Sequence, residues 1–143
     1  MILALVLLLV QTPDVALFER DPESWEGHAQ GETLQITGAT IFTLRQGNLQ
    51  RFNPSVYAGR ALSNVGVWVT FSSLITVEKG AWTDQGRNTY SMRLGAINPG
   101  ERINAPTALH LTAKAPGRFV VRVIITAREL AFPKYIFFIL KVE

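Results

Sequence analysis

With 143 residues the chain holds about one ordinary domain, which excludes a multidomain enzyme. At 48% hydrophobic and 17% charged it is too apolar for a disordered segment and, beyond its first ten residues, too charged for a polytopic membrane protein. Cys is absent, which excludes disulfides, thiolate zinc sites, iron–sulfur clusters, cysteine nucleophiles and blue copper.

The net charge of +3 is unevenly spread. Residues 1–32 carry six acids against Arg20 alone, a net −5, while the remainder, with 13 bases and 5 acids, carries +8. An acidic N-terminal segment on a basic body can pair within one chain or between neighbouring chains, and either arrangement orients association. The bases from Arg45 to Arg128 are scattered singly, without an RRM, KH or zinc-finger signature, which argues against nucleic acid as a partner.

Residues 1–10, MILALVLLLV, have no basic residue before the aliphatic run, and Gln11-Thr12-Pro13-Asp14 offers no small-x-small cleavage site. The expectation is an ordered, retained segment. As a helix it would span about 15 Å, half of a bilayer core, whereas as a strand it would extend about 30 Å. A run apolar on both faces is buried on both faces. Three uses fit: a strand within its own domain, a strand added to a neighbour's sheet edge, or contact with a membrane. Ile2, Leu3, Leu5, Val6, Leu7, Leu8, Leu9 and Val10 are therefore interface candidates.

The segment 1–19 is read as this apolar strand region, 20–32 as an acidic loop, and 33–143 as the main domain. Within the loop, Trp25 stands between Glu23, Ser24 and Glu26. It reads equally as an interface anchor and as local packing. From Thr33 the period is two, through Leu34 and Ile36 and then Phe42 and Leu44. Gln46-Gly47-Asn48 predicts a hairpin into residues 49–52, ended by Asn53-Pro54. Residues 61–71 and 74–78 read as strands, with Trp68 expected in the inter-sheet core. Residues 84–86 form a loop before a strand at 89–94, and 96–107 a long connection. Residues 109–113 and 118–127 are strands about a Pro116-Gly117 turn. A single helical turn at 128–132 precedes a last strand, 135–142, again apolar on both faces. Its Tyr135, Phe137 and Phe138 complete the interface candidates. Nowhere does a capped 3.6 period appear, so the class is all-β, and the strand spacing points to a sandwich.

Leu62-Ser63-Asn64-Val65-Gly66, then Leu94-Gly95-Ala96-Ile97-Asn98-Pro99-Gly100-Glu101, then 108–113 with Pro116-Gly117 and 118–121, together resemble a known pattern. It is that of the immunoglobulin-like surface modules of bacterial and archaeal envelopes, the CARDB-like and conserved-repeat adhesion domains. The resemblance covers residues 62–127. It implies an immunoglobulin-like antiparallel β-sandwich with extra apolar strands at both termini, the second Pro-Gly turning one strand into its antiparallel partner. It implies a structural or adhesive role with no shared catalytic residues.

No catalytic, metal or cofactor residues are expected. His28 and His110 fall in different elements, Asp84 and Glu101 have no partner of known proximity, and no hydrolase, metalloprotease, phosphate-loop or dinucleotide motif is present. The favoured function is a non-enzymatic structural subunit of a surface filament, envelope lattice or virus particle, joined to copies of itself or to other subunits through terminal strands. Alternatives are an extramembrane accessory subunit anchored by residues 1–10, and a carbohydrate- or polyanion-binding module using tryptophans and arginines.

Overall fold

The computed structural model describes residues 14–28 and 31–143. The interface candidates from Ile2 to Val10 lie outside the described residues. The strands are β1 (Val15–Glu19), β2 (Leu34–Ile36), β3 (Ile41–Leu44), β4 (Gln50–Phe52), β5 (Pro54–Ala58), β6 (Leu62–Thr70), β7 (Ile75–Glu78), β8 (Thr83–Gly86), β9 (Thr89–Ile97), β10 (Glu101–Asn104), β11 (Leu109–Ala113), β12 (Gly117–Thr126) and β13 (Lys134–Val142). Among the described residues the helical content is one 3-10 turn, Pro22–Ser24. A six-stranded sheet runs β3-β13-β12-β6-β9-β8, a four-stranded one β10-β5-β1-β2, and a three-stranded one β4-β11-β7.

One hydrophobic core joins all three sheets, the large sheet on one side and the two small ones sharing the other. Alternation explains which side chains enter it. Val65, Val67 and Val69 of β6, Val121, Val123 and Ile125 of β12, and Ile136, Phe138, Leu140 and Val142 of β13 point inward. They meet Leu17, Val56, Phe52, Leu109 and Leu111. Phe138 lies 5.5 Å from both Phe42 and Phe52, centroid to centroid, so one ring ties the large sheet to the opposite layer. Each such buried side chain contributes roughly 1.5–3 kcal/mol.

The all-β sandwich is the architecture the sequence pattern implies, but several connections differ. Gly47 adopts φ 83 as the turn requires, yet β3 and β4 do not pair. β3 pairs in parallel with β13, the one parallel ladder among the described strands, and β4 pairs with β11, so the turn carries the chain between layers. Pro116-Gly117 does the same: β11 pairs with β4 and β7, while β12 pairs with β13 and β6. A turn signal marks reversal but not partner.

The expected connection at 96–107 contains β10, which pairs with β5. Its strand is mostly exposed and too short to show a period. Asn53-Pro54 does not end a strand region, because Pro54 opens β5, a first position where no ladder donor is needed. Residues 83–86 are β8, joined to β9 by Arg87 and Asn88 at φ 53 and 54. Asn88 is held there by its amide, which donates to the Ser72 and Ile75 carbonyls at 2.8 Å each, and by the Tyr90 hydroxyl, which donates to Asn88 Oδ1 at 2.8 Å. Residues 128–132 make turns and bends and no helix.

Candidate assembly surface

The outer face of the six-stranded sheet is divided. Register places Ile41, Ile139 and Val120 in one row, Phe137 opposite Arg122 in the next, and Tyr135, Ile124 and Trp68 in a third. Val120 is 61% exposed, Tyr135 52%, Phe137 46% and Ile41 39%. They stand in water because β13 is apolar on both faces while only one meets the core, and β12 adds Val120 and Ile124 to that outer face between Arg118, Arg122 and Thr126. Beyond Trp68 the face turns polar, through Thr70, Thr89, Ser91 and Arg93. Trp68 itself, expected in the inter-sheet core, points outward at 38% exposure while Val67 and Val69 fill the interior.

The apolar half continues onto an open strand edge. β3 meets β13 only from Ile139 onward. Among the described residues no strand pairs with the preceding part of β13 on that side. Between this edge and the start of β1 lies a groove of about 350 Å³, walled by Val15, Leu17, Ile36, Tyr135, Ile136 and Phe137. Of the terminal interface candidates that are described, Tyr135 and Phe137 therefore meet solvent and groove. Phe138 is fully buried and belongs to the core, because its position in the alternation is the inward one.

The acidic loop is not a free linker. Trp25 is 2% exposed and packs on Phe42 at 4.6 Å, and Glu26 forms an antiparallel bridge with Thr43. Trp25 is thus local packing, and its place among the interface candidates is corrected. What holds it was not legible: Trp25 Nε1 donates to Glu19 Oε2 at 3.2 Å, and Glu19 is fully buried. The Glu19 carboxyl also accepts from the backbone N–H of Asp21 at 3.0 Å and of Asn53 at 3.2 Å. Burial pushes its pKa up to about 7, outweighing the three N–H donors that pull it down. Nothing in the local sequence around Glu19 signals this, since its donors come from the loop and from a distant strand end.

Other acids of the segment are also engaged inside the chain. Asp14 pairs with Arg60 and Glu26 with Arg45, both at 2.8 Å, and Asp21 Oδ2 accepts from Asn53 Nδ2 at 2.7 Å. Two acids of the segment thus meet bases of the main domain within the molecule. The two histidines stay apart, His28 against Phe42 at 5.0 Å and His110 in β11. Among the described residues no three His, Asp or Glu converge on a metal-sized site. Among them, too, no helix is long and apolar enough to cross a membrane.

Solved structures share the sandwich at low identity. The chain is similar to BslA, described as a bacterial hydrophobin, with 16% identity over 93% of this chain and 96% of that one, at a TM-score of 0.50. It is similar to a non-cellulosomal cohesin from the hyperthermophilic archaeon Archaeoglobus fulgidus, with 8% identity, 75% and 87% coverage and a TM-score of 0.47. A family 123 glycoside hydrolase from Clostridium perfringens matches 90% of this chain at 10% identity and a TM-score of 0.48, but the chain spans only 26% of that enzyme. No family model matches the chain. No curated protein matches it in sequence. At these identities the likeness concerns the fold: this chain is an all-β sandwich.

Proposed function

We propose that the chain is a non-enzymatic structural subunit of an extracytoplasmic assembly, built from copies of itself. The observation that supports this reading is the apolar half-face of β3, β13 and β12 running onto the open edge of β13. Large exposed apolar side chains grouped on one face, here around Arg122, mark interaction surfaces. An open edge beside an apolar groove suits an added extended strand, with main-chain hydrogen bonds for affinity and pockets for alternate side chains. The occupant is residues 2–10 of a second copy, nine aliphatic residues able to bury both faces. The resemblance of residues 62–127 to immunoglobulin-like surface modules accords with this role at a cell or particle surface.

The test is native mass by light scattering of the full chain without detergent, beside Phe137→Asp and a variant lacking residues 1–12. Particles well above the 15.9 kDa monomer, reduced to monomers in both variants with β-sheet circular dichroism retained, are expected. A full-length monomer at every concentration overturns the proposal. So does an unfolded deletion variant, which would assign residues 1–12 to the chain's own core, and so does retention in the membrane fraction, which would assign them to lipid.

A further inference from the structure

The polar half of the outer face holds a feature that the assembly reading does not use. β6 is irregular where it passes Asn64, Val65 and Gly66, with register shifts against β9 and Asn64 at φ 52. Bulges re-aim side chains and recur beside binding sites. Beside the irregularity lies a groove of about 500 Å³ lined by Asn64, Trp68, Gln85, Ser91, Arg93 and Thr126. We propose that this groove binds a pyranose unit of an acidic polysaccharide, its ring stacked on Trp68 and its carboxylate held by Arg93.

Trp68 differs from the other two tryptophans. The indole N–H of Trp25 donates to Glu19 and that of Trp82 to the Thr107 carbonyl at 2.8 Å, and both rings are buried. Trp68 is 38% exposed, and its ring N–H has no hydrogen-bond partner among the described residues. An exposed indole offers a flat apolar platform with a donor at its rim, which suits the C–H face and hydroxyl edge of a sugar. Gly66 lines the same groove, and a Cβ there would crowd Thr126 Oγ1 at 3.0 Å and touch the rim of the indole, 3.9 Å from Trp68 Nε1.

The polar lining has the capacity a sugar needs. Gln85 Nε2 donates to Ser91 Oγ at 2.9 Å, which orients that amide and leaves its carbonyl oxygen to accept. Asn64 adds a second amide and Thr126 a hydroxyl. Among the described residues Arg93 is the one charged residue on the lining, and it makes no ion pair with any of them. A free guanidinium beside amides and hydroxyls selects a carboxylate by bidentate hydrogen bonding. A small number of convergent polar groups around an aromatic surface is the usual composition of a small-ligand site.

The experiment is titration of the full chain with trisaccharides of galacturonate, mannuronate and glucuronate, each beside its carboxyl-reduced neutral counterpart, by calorimetry and tryptophan fluorescence. At least one acidic trisaccharide is expected to bind and to shift the emission, since Trp68 is the tryptophan open to it. Trp68→Ala weakens binding about tenfold or more and removes the shift. Arg93→Gln removes the preference for the acidic over the neutral form. Both side chains are on the outer face of the sheet, so both variants keep the β-sheet circular dichroism of the parent. No binding at millimolar sugar, or affinity indifferent to Trp68→Ala, overturns the site. Equal binding of acidic and neutral trisaccharides overturns the role of Arg93.

Discussion

Glu19 makes the protein's stability depend on pH in a direction opposite to that of an ordinary surface carboxylate. Its carboxyl is fully buried, and burial raises its pKa from 4.5 to about 7. The folded state therefore holds this proton more tightly than the unfolded chain does. The resulting stabilisation is complete below about pH 4.5, is lost as pH rises through about 7, and changes no further above that. At about 1.4 kcal/mol per pH unit the loss amounts to about 3 kcal/mol, a large share of a typical folding free energy.

Glu19→Gln cannot titrate. Its amide keeps an acceptor for the Asp21 and Asn53 N–H groups but sets an NH2 against the Trp25 indole N–H, a constant cost at every pH. Urea unfolding of both proteins, followed by tryptophan fluorescence between about pH 4.5 and 8, isolates the effect, since other titrating groups cancel in the difference. The wild-type chain should lose about 3 kcal/mol relative to Glu19→Gln across that window. Parallel stability curves would refute the argument that burial outweighs the three donated hydrogen bonds.

Ser55 lies fully buried in β5, and its hydroxyl has no hydrogen-bond partner among the described residues. Ser55→Ala removes a desolvated hydroxyl and leaves almost no cavity, so thermal unfolding should rise by a few degrees, corresponding to about 1 kcal/mol. Trp25→Ala empties the space against Phe42 and strips Glu19 of one donor. It should cost about 3–5 kcal/mol in chemical unfolding and collapse the near-ultraviolet dichroism of the Trp25–Phe42 pair.

Strand class was legible because alternation is a local property. The alternation of Val67 and Val69 with Trp68, Leu109 and Leu111 inward, and the β-branched run of β12 follow from side-chain period and composition alone. The doubly apolar character of β13 was also legible, but not that Tyr135 and Phe137 would be the exposed pair and Phe138 the buried ring. Which face of a strand meets the core was not. Trp68 and Phe138 are separated from their alternatives by a single step in the alternation, and only packing of the whole sheet places one outside and the other at the centre.

Partners are decided by tertiary structure for the same reason. Gly47 and Pro116-Gly117 mark reversals correctly, yet both carry the chain between layers, and across the first of them Phe42, beside Phe138 in the large sheet, and Phe52, in the opposite layer, both pack on the Phe138 ring. The Glu19 network is the extreme case. A carboxylate, an indole and two backbone N–H groups, drawn from β1, the acidic loop and the residue after β4, become a site only once the chain has closed around them. The sequence by itself determined strands, turns and how much apolar surface must be hidden, since these depend on neighbours a few residues away. Only the tertiary structure decided which surface stays open and which buried charge is held, since those depend on contacts between residues far apart along the chain.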